Sequence, residues 1–350
     1  MNMKIAFVGF GGVGQSLVKL FIEKRRKLKE QYGIEPVVVA VSDLMKGSIY
    51  HPEGLDMEKL LDVVDKTNNI EKYPQQPGLL KGLTSIETIR DTNAEMIVEV
   101  TYTDVNTGQP AIDHIRTAFE NKKSVVTTNK GPIALAYNEL AELARVNQVF
   151  LGFEGTVMSG TPALRMPVTT LAGNEITEIK GILNGTTNYI LTEMEKGQTY
   201  EEALEKAQQL GYAEADPTSD VEGYDARYKA AILSNYLMGV PISSEDIYCK
   251  GISDMTVDMV QEALAENKKW KLLARITKEN ESVKATVKPE LVDSDDPLAG
   301  VTGATNAILY NCDLSGPILL TGAGAGLTET GYSLLIDIIH YHTQLALKKS

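Results

Sequence analysis

Short apolar runs recur through the first 150 residues, each set off by a segment with helical spacing. The runs are "KIAFVGF" (residues 4–10), "VVVAVSD" (37–43), "AEMIVEV" (94–100), "KSVVTTN" (123–129) and "NQVFLGF" (147–153). Their apolar character is nearly continuous, which suits strands buried on both faces. Residues 15–28, 111–121 and 136–145 carry the helical period between them. Alternation of this kind predicts an α/β fold built on a doubly wound parallel sheet. The polar stretch around 44–82, with "YPQQPG" near its end, reads as a surface excursion.

From about residue 155 the rhythm changes. "EITEIKGIL" (175–183) alternates like a half-buried strand. A helix then begins at Thr199, with Glu202 three residues on as a capping box and Gly211 as its stop. A second helix is expected over about 223–238, and Pro241 follows closely. "SVKATVKPELV" (282–292) and "NAILYNCD" (306–313) are strand-like. The pattern predicts a mixed α+β second domain over residues 153–321. The first domain is then 1–152, joined by about 322–350 through a last helical segment at 332–347.

Composition narrows the functions open to the chain. A length of 350 residues allows two domains. A net charge of −13 argues against a nucleic-acid partner, since phosphate binding needs a basic face. The basic cluster "EKRRKLKE" (23–30) is interrupted by acids and suits the outer face of a helix. Cys249 and Cys312 supply neither a disulfide framework nor a metal spacing, which points to a reducing compartment. No apolar stretch reaches the roughly 20 residues of a membrane span, so a cytoplasmic protein is expected.

The first strand runs into Gly9-Phe10-Gly11-Gly12-Val13-Gly14, and an amphipathic helix follows. In that context the glycines have separate tasks. Gly9 permits a tight turn, Gly11 lets a pyrophosphate approach the backbone, and Gly14 allows close helix–strand packing. A dinucleotide therefore sits at the helix N-terminus of a Rossmann-type domain. Asp43 ends the second strand, where a carboxylate accepts from a ribose and repels a 2′-phosphate, favouring NAD over NADP. Lys46 nearby weakens that preference.

Ligands of open α/β sheets gather at the carboxyl ends of strands. Thr101 and Tyr102 lie at one such end, Lys130 at another, and Glu154 opens the small-residue turn "EGTVMSGTP" after a third. Lys130 is either an exposed turn lysine or a catalytic one, and the turn at Glu154 either a plain turn or a seat for a hard cation. The second domain carries "GYAEADPTSDVEGYDARYK" (211–229), where Glu214, Asp216, Asp220, Glu222 and Asp225 precede Lys229 without a basic residue from 214 to 225. The spacing fails the EF-hand pattern. Asp225 and Lys229 stand four residues apart on a helix, ordinarily a surface ion pair worth a few tenths of a kcal/mol. That reading leaves Glu214 and Asp220 unexplained.

These residues resemble the homoserine dehydrogenase family. The stretch from Ala207 through Gly211, Tyr212, Ala213, Asp216, Pro217, Asp220, Val221, Gly223 and Asp225 to Lys229 fits that family's signature at each of its set positions. The glycine loop, "VVTTNKGPIA" (125–134), "FEGTVMSGTP" (153–162), "LNGTTNYIL" (183–191) and "GAGAGLTET" (322–330) extend the resemblance over nearly the whole chain. It implies interconversion of L-homoserine and L-aspartate 4-semialdehyde with NAD or NADP, as a step of threonine and methionine biosynthesis. Glu214 and Asp225 match residues that hold the amino-acid end of the substrate. Asp220 matches a further acid of the active centre, Lys229 the proton donor and Lys130 the second active-site lysine. Phe10 to Gly14, Thr101, Tyr102 and Gly326 match cofactor contacts. Glu154, Val157, Ser159 and Thr161 match a monovalent-cation (Na+) site in which backbone carbonyls do most of the work. The family also implies a homodimer joined through the second, catalytic domain.

Two other classes compete with this reading. An acylating semialdehyde dehydrogenase needs a nucleophilic cysteine, and neither Cys249 nor Cys312 lies in a pocket-like motif. A non-catalytic NADH sensor needs neither the acids of 214–225 nor paired lysines. The chain's span from the glycine-loop strand to the last helix carries the expectation of a form without a fused kinase or a C-terminal regulatory domain, and so without threonine feedback through one.

Overall fold

The structure, a computed structural model, describes residues 2–102, 104–280 and 282–349. It divides into two compact units, Met1–Thr156 with Gly326–Ser350, and Val157–Ala325.

The first unit runs β1 (Asn2–Val8), α1 (Gly12–Glu23), α2 (Arg25–Tyr32), β2 (Glu35–Asp43), β3 (Gly47–Tyr50), α3 (Met57–Thr67), β4 (Leu80–Lys81), α4 (Ser85–Asp91), β5 (Met96–Glu99), α5 (Ala111–Glu120), β6 (Ser124–Thr127), α6 (Lys130–Asn147) and β7 (Leu151–Gly152). One sheet of order β4-β3-β2-β1-β5-β6-β7 results. Strands β2, β1, β5, β6 and β7 are parallel, and β3 and β4 add antiparallel partners at one edge. Because β1 has β2 on one side and β5 on the other, the strand order reverses there and leaves a crevice at the carboxyl ends.

Side-chain alternation along β1 explains the layers. Ile5 and Phe7 enter one core with Leu17, Val18 and Phe21, while Ala6 and Val8 enter another with Ile97, Ile115 and Phe119. The C-terminal helix (Leu327–Lys349) packs on α1 and adds Leu334, Leu335 and Ile338 to the first of these cores.

Three expectations change here. The predicted helix over 15–28 is two helices, broken at Lys24 (φ −96°, ψ 6°). The break turns Leu28 into the core while the crowded Lys24, Arg25, Arg26 and Lys27 stay in solvent. The stretch 44–82 is not only a surface excursion. It supplies β3, β4 and α3, and Ile49, Leu60, Val64 and Ile70 join the main core. Helix α6 starts at Lys130 rather than 136, with a break at Ala136 (φ −134°). Pro132 is tolerated because first-turn residues have no intrahelical acceptor for their N–H groups.

The second unit contains α7 (Arg165–Thr170), β8 (Ile176–Ile182), α8 (Gly185–Met194), α9 (Tyr200–Gln209), α10 (Thr218–Val221), α11 (Tyr224–Leu233), β9 (Tyr248–Cys249), α12 (Val257–Ala265), β10 (Lys268–Glu279), β11 (Ser282–Asp293), β12 (Thr305–Cys312) and β13 (Gly316–Ala323). Its sheet has the order β13-β12-β8-β10-β11-β9 and is antiparallel except for the short β11–β9 pair. The capping box at Thr199 and Glu202 forms as expected. Strand β10 is a late addition: its lysines hide the apolar pattern, yet Lys271 is fully buried and donates to the carbonyl of Val301 at 2.8 Å.

Gly9 adopts φ +88°, and a Cβ there would sit 2.5 Å from the carbonyl oxygen of Val100. Gly173 has φ +93° with open space around it. In urea denaturation Gly173→Ala is expected to lose roughly 1–3 kcal/mol, the cost of the left-handed backbone alone. Gly9→Ala is expected to lose more, because its clash is with backbone; equal losses would contradict this account.

Candidate active site

In the first unit, the glycine loop is tied to the end of β2. The Gly9 N–H donates to the Ser42 carbonyl at 2.8 Å, and the Phe10 N–H donates to Oδ2 of Asp43 at 2.7 Å. The Phe10 ring is fully buried and packs edge-on against Phe7 at 5.6 Å. A Cβ at Gly14 would lie 3.3 Å from the Gly9 carbonyl, so the helix and the turn are in close contact there. Nothing comes within 4 Å of a Cβ at Gly11, which is the N-cap of α1. The N–H groups of that first turn have no intrahelical acceptor, which suits them to an anion.

Asp43 also fastens the turn after β2. Its Oδ1 also accepts from the N–H groups of Met45 and Lys46, both at 3.0 Å, and Lys46 Nζ lies 3.6 Å from Oδ2. A cavity of about 780 Å³ opens beside the loop and is lined by Gly9, Gly11, Asp43, Leu44, Thr101 and His114 among others. That size accommodates the adenosine part of a dinucleotide. Thr101 donates to Oε1 of Glu99 at 2.5 Å, while Tyr102 is exposed.

Glu99 was not among the residues singled out from sequence. It is fully buried at the end of β5 and gathers Thr101, Thr127, the amide of Asn129 and the ring of His114 (3.2 Å), with His114 in turn 2.9 Å from Ser85. An apolar strand ending in a single glutamate was the available signal. Lys130 is the first residue of α6, directly after Asn129, where a cation faces the positive end of the helix dipole.

In the second unit the acidic stretch folds inward. Helix α11 starts from Gly223 at φ +81°, and it buries both Asp225 and Lys229. Lys229 Nζ donates to Oδ2 of Asp225 at 2.6 Å and to the Leu183 carbonyl at 2.7 Å. The pair is thus no surface ion pair: its side chains are 8% and 10% exposed. Nδ2 of Asn184 donates to Asp220 (2.7 Å) and to Asp225 (3.1 Å), and Thr186 donates to Asp220 at 3.2 Å. Burial, then the charge of Asp225, push the Asp220 carboxyl above its ordinary pKa, against the hydrogen bond from Asn184 and the charge of Lys229.

Asn184 and Thr186 were legible only as part of "LNGTTNYIL". Asn184 is the N-cap of α8, its Oδ1 accepting from the Thr187 N–H at 2.9 Å. Glu214 stands apart from the buried network on an exposed turn, where its backbone carbonyl accepts from Gln208 at 3.0 Å. Asp216 and Glu222 are spent locally: Asp216 accepts from Thr218, and Glu222 from Ser253.

The residues matched to a cation site show individual features. Glu154 is buried in a 3₁₀ turn, with its N–H donating to Asp337 at 3.0 Å. Val157 and Ser159 are buried, Ser159 in a left-handed conformation (φ 52°), and the Thr161 hydroxyl donates to the Ala323 carbonyl at 3.2 Å. Gly326 has φ +133° and faces Glu329. Cys249 is half-buried and Cys312 buried, and burial raises the pKa of both thiols, which suits neither to nucleophilic attack.

Known proteins place this arrangement. A family model described as homoserine dehydrogenase matches residues 162–339, and one described as Glutamate/Leucine/Phenylalanine/Valine dehydrogenase matches residues 1–112. The chain is 44% identical to an NAD(+)-dependent homoserine dehydrogenase of Pseudomonas canavaninivorans, covering 99% of this chain and 98% of that one. It is 42% identical to a homoserine dehydrogenase of Methanocaldococcus jannaschii, over 97% and 98%. Among solved structures, a putative homoserine dehydrogenase of Archaeoglobus fulgidus matches with a TM-score of 0.87 at 36% identity, covering 97% of this chain and 99% of that one. A hyperthermophilic archaeal homoserine dehydrogenase in complex with NADPH matches with a TM-score of 0.82 at 31% identity, over 98% of each. Matched from end to end by such relatives, the chain belongs to the homoserine dehydrogenase family.

Proposed function

We propose that this protein interconverts L-homoserine and L-aspartate 4-semialdehyde with NAD or NADP. The observation that carries the reading is the cluster of half-buried Asp220 with buried Asp225, Asn184 and Lys229 in a chain of this family. Its carboxylates suit the substrate ammonium. Lys229, held between Asp225 and the Leu183 carbonyl, suits a proton donor or acceptor at the substrate oxygen.

The dinucleotide's part is to take the hydride from the alcohol carbon, or to give it to the aldehyde. The glycine loop, with its open Gly11 and the ends of β1 and β2, fits a pyrophosphate and an adenosine ribose. On reduction the Lys229 ammonium gives a proton to the aldehyde oxygen and is left as the neutral amine; oxidation runs from that neutral amine, which takes the hydroxyl proton and becomes the ammonium again. The ammonium also stabilises alkoxide charge as it develops. Lys130 takes the orienting, electrostatic role, and Glu214 joins Asp225 in holding the amino-acid end; the family match supports both. The division of labour between a dinucleotide domain and a substrate domain follows the same reading. So do a homodimer through the second unit, a cytoplasmic location, and a Na+ ion at the carbonyls of Glu154, Val157, Ser159 and Thr161. No helix among the described residues is long and apolar enough to cross a membrane.

Absorbance of reduced nicotinamide, followed on adding L-homoserine and NAD, tests the activity directly, and a flat trace would favour the sensor class. Lys229→Ala is expected to lower kcat by roughly 10²- to 10⁴-fold, the usual contribution of a positioned acid–base group. It should keep NADH binding, measured by fluorescence titration; near-normal turnover would remove Lys229 from this role. Asp43 favours NAD, so kcat/KM should be higher with NAD than with NADP. Asp43→Ala should narrow the difference, and a preference for NADP in the wild type would overturn the assignment.

A further inference from the structure

His114 is only 4% exposed, yet both of its ring nitrogens are engaged. Nδ1 lies 3.2 Å from Oε1 of Glu99, and Nε2 lies 2.9 Å from Oγ of Ser85. A carboxylate oxygen can only accept, which assigns the ring proton to Nδ1. Nε2 is then left as the acceptor, and the Ser85 hydroxyl donates to it. Serine, histidine and buried carboxylate thus stand in the order that makes a serine hydroxyl nucleophilic.

Separate elements of the first unit bring these groups together. Glu99 ends β5, fully buried, and the hydroxyl of Thr101 and the amide of Asn129 also donate to it. His114 is on the buried side of α5 with Ala111, Ile115 and Ala118. Ser85 opens α4, but the helix start does not use its hydroxyl. Thr84 is the N-cap there and forms a capping box with Glu87. Ser85 is partly exposed, and it lines the cavity beside the glycine loop together with His114. Its hydroxyl is within reach of a ligand in that cavity.

We propose that Ser85, His114 and Glu99 form a second catalytic centre, which hydrolyses small acyl esters of aromatic alcohols. The substrate class follows from the cavity, which at about 780 Å³ accepts a ring and is lined in part by Leu83, Val100 and Pro110. Ser85 Oγ bonds to the acyl carbon, and its proton passes to Nε2 of His114. The bond from that carbon to the alcohol oxygen breaks, and Nε2 gives the proton to the departing alcohol. Water then attacks the acyl-serine and loses a proton to Nε2. The serine oxygen leaves with that proton, yielding a carboxylic acid and free Ser85. Glu99 is a positioning residue throughout, holding the tautomer and balancing the imidazolium charge. No hydride and no dinucleotide takes part, so the centre does not rest on the dehydrogenase reading.

Release of p-nitrophenol from p-nitrophenyl acetate, followed by absorbance, tests the proposal. The wild type should exceed the rate in buffer. Ser85→Ala should lower kcat/KM by at least roughly 100-fold, the lower end of what a positioned base contributes. Glu99→Gln should lower kcat about as far while KM for the ester stays within about twofold, because an amide donating to Nδ1 moves the ring proton to Nε2. A fluorophosphonate should label Ser85 in the wild type, read by peptide mass spectrometry, and this decides the matter if the variants fail to fold. A wild-type rate no higher than that of buffer overturns the proposal, as does hydrolysis unaltered in folded Ser85→Ala. So does a fluorophosphonate adduct elsewhere with Ser85 unmodified. A folded Glu99→Gln with the wild-type kcat overturns the triad.

Discussion

A buried carboxylate, Asp225, and a half-buried one, Asp220, stand side by side and repel, and the network around them meets that cost. Asp220 and Asp225 tolerate each other because Asn184 bridges them and Lys229 neutralises one. Breaking a buried pair by removing one partner costs about 3–5 kcal/mol, since the other charge is left without compensation. The partners come from separate elements of the second unit. Helix α8 brings Asn184 and Thr186, α10 brings Asp220, and α11 brings Asp225 and Lys229. The same arrangement holds Lys229 in one place, between Asp225 and the Leu183 carbonyl.

The first unit meets a related problem at the end of β5. Glu99 is a fully buried carboxylate at the end of β5, and polar side chains gather on it. Thr101, Thr127, Asn129 and His114 converge on it. The result is that the loop after β5 and the start of α6 share an anchor. Asp43 does the same for the glycine loop and the turn after β2, accepting three backbone N–H groups. Loops that must present backbone to an anion are thus fastened by carboxylates placed behind them.

The chain itself announced several of its strands, its glycine loop and its signature residues. β1, β2, β5 and β6 are legible because burial on both faces leaves an almost unbroken apolar run. Gly9 and Gly14 are legible because the close backbone contact at each leaves little room for a side chain. What was hidden had mixed patterns. β10 interleaves lysines with its core residues, and Lys271 is buried only because Val301 and Glu195 come to it from distant positions. The break at Lys24 depends on where Leu28 must go, which local helical propensity does not encode.

The acidic stretch shows the division most clearly. Sequence alone determined that five carboxylates and one lysine stand close together, and family resemblance assigned roles to several. Only the tertiary structure separated them. Asp220, Asp225 and Lys229 turn inward, whereas Asp216 and Glu222 are occupied by neighbouring hydroxyls and Glu214 stays on an exposed turn. The reason is physical: spacing along a helix sets which side chains share a face, but the partners that make burial of charge tolerable, Asn184, Thr186 and the Leu183 carbonyl, lie some 40 positions away in the chain and meet the acids only when the second unit folds.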